Sequence, residues 1–175
     1  TFGIGYAPKG WRNLIDHLTS KGHKLEDLIT VGLAMQSDKG GYDRFRGRVL
    51  WPIKDANEQV LGFGARKLYD DDEGPKYLNT PETPVYHKSG VLYGLDLARK
   101  EIVKKREVIV VEGYTDVMAC HLAGHQTAVA TCGTAFGEDH IRLINRFLGQ
   151  SSDPANVIFT FDPDAAGQKA ALRVY

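Results

Sequence analysis

Val-Ile-Val-Val-Glu-Gly-Tyr-Thr-Asp at 108–116 and Val-Ile-Phe-Thr-Phe-Asp-Pro-Asp-Ala-Ala-Gly at 157–167 decide the fold. Each is a short apolar run that ends on a carboxylate. A continuous β-branched run of this length predicts a buried parallel strand. In an open α/β sheet, ligands sit beyond the carboxyl ends of the strands. Strand-then-acid, twice, therefore converges Glu112, Asp162 and Asp164 on one sheet edge. Close carboxylates repel by about 4 kcal/mol per pair at an effective dielectric near 20. A divalent cation relieves that repulsion, and oxygen-only ligands beside phosphates point to Mg²⁺. The pattern predicts a metal-dependent enzyme of phosphate chemistry.

The neighbouring segments give these runs their topology. Asp96 to Lys105 predicts a helix with a cationic last turn, which suits the helix dipole. Thr115 to Ala123 predicts a helix stopped by Gly124, and Thr127–Thr131 a second strand. Glu138 to Leu148 predicts a helix with Ile141, Ile144 and Leu148 on one face. Val157–Phe161 is the third strand, and a third helix begins at Ala165. This β-α-β-α-β-α order predicts a parallel sheet with right-handed crossovers.

The first half has a different grammar. Residues 11–20 predict a helix with an apolar stripe of Leu14, Ile15 and Leu18, and Lys24 to Val31 a second one closed by Gly32. Residues 39–44 read as a turn around Gly40-Gly41. Val49–Ile53 and Val60–Arg66 read as a hairpin joined by Asp55-Ala56-Asn57-Glu58. Asp70 to Gly74 reads as an acidic surface loop. Residues 75–89, with Pro75, Pro81 and Pro84, read as an irregular binding segment.

The bulk numbers bound the answer. The 175 residues, 42% of them hydrophobic, suffice for one domain or two small packed subdomains. The chain opens on Thr1 and closes on Tyr175 inside a helical pattern, so it reads as a piece of a longer protein. No apolar run approaches a membrane span, and no signal peptide is present, so no membrane is expected. Residues 1–110 carry 18 Lys+Arg against 15 Asp+Glu, and residues 111–175 carry 4 against 7. A basic half beside an acidic half suits a nucleic-acid surface next to a metal site, although ordinary surface scatter gives the same imbalance. Cys120 and Cys132 are the only cysteines, which fits an intracellular protein. Cys120, His121 and His125 lack a fourth ligand and read as a structural helix with surface histidines, so no zinc is expected.

A lone Asp-x-Asp is weak evidence. A Glu-Gly at one strand end with Asp-x-Asp-x-x-Gly at another is stronger, and resembles a Toprim domain. Five further stretches select within that group: Tyr42-Asp-Arg-Phe-Arg-Gly-Arg-Val49, Gly62-Phe-Gly-Ala-Arg66, Pro75-Lys-Tyr-Leu-Asn-Thr-Pro-Glu-Thr83, His87-Lys88 and Glu112-Gly-Tyr-Thr-Asp116. In this order they resemble the bacterial DnaG-type replicative primases, with an actinobacterial flavour. Gly3-Ile-Gly-Tyr-Ala-Pro8 also fits, and the resemblance covers nearly the whole chain.

That resemblance implies an α/β fold: a Toprim-type parallel sheet flanked by helices, preceded by a primase-specific mixed α+β subdomain. The division implied is 1–90 for the basic subdomain and 91–175 for the Toprim domain. The activity implied is synthesis of short RNA primers on single-stranded DNA from NTPs, as a DNA-directed RNA polymerase with Mg²⁺, for which Mn²⁺ substitutes. By motif, Glu112, Asp116, Asp162 and Asp164 match the catalytic Toprim acids, with Glu112, Asp162 and Asp164 at the metal. Arg44, Arg46 and Arg66 match basic residues near the active site. Lys76, Asn79 and Lys88 match residues lining the nucleotide and template site. Implied too are a cytoplasmic location at replication forks and a replicative helicase as partner, reached through a C-terminal domain absent from this stretch.

Plainer readings stand beside these. Asp116 is also a first-turn helix acid favoured by the dipole. Arg44, Arg46 and Arg48 alternate as on a solvated strand face. Lys76 and Asn79 fit a Pro-bounded turn. Phe45, Trp51, Phe63 and Tyr77 are candidates for base stacking, but at strand spacing they suit a core equally. The family usually has Gly where Pro163 stands, and a third acidic cluster and an N-terminal zinc-binding domain lie outside the stretch. Another Toprim enzyme, a nuclease or a type IA topoisomerase, and a non-catalytic nucleotide- or nucleic-acid-binding module are the competing readings.

Overall fold

The computed structural model describes residues 2–38, 40–149 and 153–160. They form two compact units, Thr1–Pro52 with Val60–His87, and Ile53–Gln59 with Lys88–Tyr175.

The first unit is mixed α+β. Strands β1 (Gly5–Ala7), β4 (Arg48–Lys54), β5 (Val60–Lys67) and β6 (Tyr77–Asn79) form one sheet in the order β1-β4-β5-β6. Helices α1 (Asn13–Ser20) and α2 (Leu25–Thr30) precede a two-stranded ribbon of β2 (Ala34–Met35) and β3 (Tyr42–Asp43). Ile15, Leu28 and Ala34 bury together, with Leu18 and Leu25 against them. Phe45 packs with Ala7 and Ala65 against the partly buried Leu50, Phe63 and Leu78. Gly32 ends α2 at φ +73°, where a Cβ would lie 2.6 Å from the Pro81 ring, so only glycine fits.

Two expectations change here. Residues 75–89 are not wholly irregular, because Tyr77–Asn79 pairs antiparallel with β5, Arg66 opposite Tyr77. A strand of three residues is too short to show a period of two, and an edge strand tolerates flanking prolines such as Pro75 and Pro81. Arg44 and Arg46 lie in the connection between β3 and β4, so strand alternation does not explain their spacing.

The second unit carries the α/β pattern. Its sheet order is β10-β8-β9-β7, from β7 (Leu92–Tyr93), β8 (Glu107–Val111), β9 (Ala128–Thr131) and β10 (Asn156–Phe159). β8 pairs parallel with both β9 and β10. The sheet also has an antiparallel edge: β7 pairs antiparallel with β9, a strand too short to read from periodicity. Helices α3 (Leu95–Lys105), α4 (Tyr114–Leu122) and α5 (Glu138–Leu148) intervene. Val108 and Val110, two apart on β8, share a core with Leu95, Ala98, Ile102, Val129, Ile144 and Leu148.

The buried stripe of α5 differs from the expected one. It runs His140, Ile144, Leu148, whereas Ile141 is 45% exposed. Positions i, i+4 and i+8 share a helix face, and the first of them is a histidine that apolar counting passes over. The expected third helix from Ala165 lies outside the described residues.

Candidate functional site

The first unit holds a cavity of about 530 Å³ of mixed charge, where Lys9, Arg44, Arg46 and Arg48 face Asp71, Asp72 and Glu73, with Trp11 in its wall. Arg44 donates through Nε and Nη2 to the Asn79 carbonyl oxygen, at 3.2 and 2.9 Å. Burial pulls this guanidinium below its ordinary range, opposed by Tyr42. An arginine nevertheless stays charged in a protein.

Arg46 is held by stacking. Its guanidinium carbon lies 4.4 Å from the Trp11 ring centroid and 5.1 Å from that of Tyr42. It also donates to the Asp43 carbonyl oxygen. A delocalised cation over an aromatic face is attracted by the ring quadrupole. Trp11 itself is 66% exposed, with its ring edge-to-face on Tyr42 at 5.6 Å.

Arg48 has another task. It is buried, donates to the Pro75 carbonyl at 2.8 Å, and pairs with Asp72 at 2.6 Å. The acidic loop is therefore partly structural, not wholly a solvated surface. Lys9 sits over the Tyr69 ring at 4.0 Å and pairs with Asp71 at 2.8 Å. The shared hydrogen bond raises the lysine and lowers the carboxylic acid.

Arg66 and Lys76 are exposed, Arg66 on β5 opposite Tyr77 and Lys76 with its ammonium 5.9 Å from the Tyr77 ring. Neither lines the cavity, whereas Arg44 and Arg46 do. Of the candidate stacking residues, Phe45 and Trp51 are buried, Phe63 packs on the core, and Tyr77 is exposed.

In the second unit, Glu112 is exposed and follows β8 directly. Asp116 caps α4: its Oδ2 accepts from the Gly113 N–H at 2.9 Å. The first-turn acid reading is therefore real for Asp116. A carboxylate accepts at two oxygens, so capping does not exclude a second role. The Thr160 N–H donates to the Val110 carbonyl at 3.0 Å, which carries the β10 pairing to the strand end that bears Glu112. Asp162, Asp164, Pro163 and Gly167 lie outside the described residues. Among the described residues, no group of three or more His, Cys, Asp or Glu is arranged to hold a metal ion. His121 Nε2 is instead 2.9 Å from the Ala128 carbonyl oxygen.

Lys88 is half-buried and opens a 3₁₀ turn, Lys88–Gly90. Its carbonyl oxygen accepts from His140 Nε2 at 3.2 Å.

A family model described as the DNA primase catalytic core, N-terminal domain, matches residues 1–99. The chain belongs to the DNA primase catalytic core family. A Toprim domain model matches residues 106–175. The DNA primase of Streptomyces coelicolor is 60% identical over 99% of the chain, which covers 27% of that protein. The chain thus spans about a quarter of the length of the curated primases it matches. The RNA polymerase domain of Mycobacterium tuberculosis primase DnaG superposes with a TM-score of 0.93 at 51% identity, over 99% of this chain and 57% of that one. The same domain in complex with a double-stranded DNA oligomer bearing a 6-nucleotide overhang gives 0.92 at 51% identity, over 99% and 55%. The fold is the expected one: a mixed α+β part followed by a Toprim-type parallel sheet flanked by helices.

Sequence reasoning missed Lys9, Trp11 and His140. Trp11 was counted into the first helix, but α1 starts at Asn13. Trp11 stands at i to the i+3, i+4 and i+7 positions of Leu14, Ile15 and Leu18, so periodicity alone draws it into the helix and gives no signal of its separate place.

Proposed function

We propose that this chain is the catalytic part of a DNA primase, joining NTPs into short RNA primers on a single-stranded DNA template. The observation that carries this reading is the placing of Arg44, Arg46 and the exposed Trp11 on one cavity in a chain of the primase core family. Guanidinium groups hold phosphates through charge-assisted bonds, and an exposed indole stacks on a base of any sequence. A DNA-bound relative of the same fold supports a nucleic-acid template.

The first unit is read as the template and nucleotide part, with Arg44, Arg46, Arg66, Lys76 and Asn79 as binding groups, joined by Lys88 of the second unit. The second is read as the metal-binding Toprim part, with Glu112, Asp116, Asp162 and Asp164 as its acids. Glu112, Asp162 and Asp164 would hold Mg²⁺, or Mn²⁺ in its place. Hard oxygen donors alone suit these ions. When bound, the metal neutralises triphosphate oxygens and stabilises the leaving pyrophosphate. Glu112, held at a strand end, contributes a rigidly placed carboxylate. The arginines orient the template backbone, and Lys76 and Lys88 supply point charges for the triphosphate. A replicative helicase partner and a place at the replication fork in the cytoplasm belong to this same reading.

The test is Glu112→Gln in the full-length protein. Primer synthesis is expected to vanish while DNA binding persists. Wild-type yields of primer from that variant would sink the assignment.

A further inference from the structure

His140 is 1% exposed, yet no functional assignment uses it. Its ring nitrogens meet main-chain groups of Gly137, Lys88 and Val91. The Gly137 N–H donates to Nδ1 at 3.2 Å, closing the first turn of α5. A nitrogen that accepts is unprotonated, so the neutral ring carries its hydrogen on Nε2. Nε2 in turn is 3.2 Å from the carbonyl oxygen of Lys88, which only accepts. Phe136 stacks on the ring at 5.4 Å and 21°, which fixes its plane. One side chain thus links the start of α5 to the turn that carries Lys88.

We infer that His140 is the positioning residue for Lys88, clamping the main chain of the Lys88–Gly90 turn to α5 so that the lysine ammonium meets the triphosphate from a fixed backbone. This rests on the reading of Lys88 as a nucleotide-binding group. A lysine has four rotatable bonds and no planar fork, so the backbone is where its position can be fixed. The hydrogen-bond direction matters as much as its presence. The Gly137 N–H dictates the tautomer, and the tautomer dictates a donor toward Lys88. The pair of contacts works as a relay from the helix cap to the turn. A misplacement of about 1 Å at a site that positions a reacting group costs up to about a hundredfold in rate.

Two variants separate the positioning role from a purely structural one. The amide oxygen of His140→Asn reaches about where Nδ1 lies, so it keeps the Gly137 cap and loses the Lys88 contact. The amide nitrogen of His140→Gln reaches about where Nε2 lies, so it keeps the donor to Lys88. Both are compared with Lys88→Ala in primer synthesis by the full-length protein, with thermal unfolding as the check on folding. The inference expects His140→Asn to raise the KM for NTPs about tenfold with a smaller change in kcat. His140→Gln is expected to stay within about threefold of wild type in KM. Equal KM values for His140→Asn and wild type, with Lys88→Ala defective, would overturn the inference and leave the site reading intact. A Lys88→Ala variant with normal KM would overturn the site reading, and the inference with it. A ¹⁵N spectrum of the histidines in the unmodified protein needs no variant to fold. The Nε2–H tautomer at His140 is expected, and the Nδ1–H tautomer would overturn the inference.

Discussion

Two donors of the Arg44 guanidinium, Nε and Nη2, converge on one atom, the carbonyl oxygen of Asn79. This ties the connection after β3 to the last residue of β6. Arg44 is therefore both a cavity wall and a brace for a short edge strand. Replacing it by lysine keeps the charge and removes the forked geometry. Arg44→Lys is expected to bind single-stranded DNA more weakly than wild type and to loosen Tyr77–Asn79. Hydrogen exchange at Leu78 and Thr80 checks the second point, and unchanged protection there would contradict it.

Asp43 caps α1 from 29 residues away, its Oδ2 accepting from Leu14 N–H at 2.7 Å and its Oδ1 from Ile15 N–H at 3.0 Å. It is 2% exposed, so no water replaces it on truncation. Asp43→Ala is expected to cost about 1–3 kcal/mol, since a buried and a partly buried donor lose their acceptor. Urea unfolding measures it, and a loss below about 0.5 kcal/mol would refute the capping role.

Burial lowers the His140 imidazole below its ordinary 6.5, against the pull of the Lys88 and Val91 main-chain contacts and of Asp139. The ring is neutral in the folded state, while the unfolded chain takes up a proton as pH falls below the unfolded value. Its contribution to stability is thus complete above 6.5 and is lost as pH falls through the folded-state value. The gap in urea midpoint between wild type and His140→Gln should be constant above 6.5 and narrow as pH falls below it. Parallel midpoints across the range would contradict the neutral buried ring.

Arg46 and Trp11 are predicted to act on DNA in different ways. Arg46→Ala should lower the slope of log affinity against log salt by about one phosphate's worth. Trp11→Phe should keep most of the binding, whereas Trp11→Ala should lose about 1–3 kcal/mol of stacking, with little change in the salt slope. Fluorescence anisotropy over a salt series distinguishes the two. An unaltered slope in Arg46→Ala would remove that residue from the phosphate path.

Much of the second unit was legible because its signals are local and repeated. Val108 to Val111 is a run of β-branched residues with Val108, Val110 and Val111 buried, and α5 begins at Glu138 and ends at Leu148, as its acids and following glycine indicate. What escaped depends on distance or on brevity. The role of Asp43 is set by a helix far back in the chain. β6 and β7 have three and two residues, too few for any period. His140 was hidden because a histidine at the start of a stripe looks like a surface residue until its two partners are seen. In the candidate site, two arginines of one motif, Arg44 and Arg46, line one cavity. The motif gave no hint that Arg48, also within it, is consumed by Asp72 and Pro75.

The central claim is that Glu112 belongs to a metal site serving NTPs. Crystals of the protein soaked with Mn²⁺ and one ribonucleoside triphosphate, measured by anomalous diffraction, test it most directly. The account predicts an anomalous peak about 2.1–2.2 Å from a Glu112 carboxylate oxygen, shared with Asp162 or Asp164 and with triphosphate oxygens. A bound triphosphate with its Mn²⁺ peak elsewhere, and Glu112 facing solvent, would contradict it.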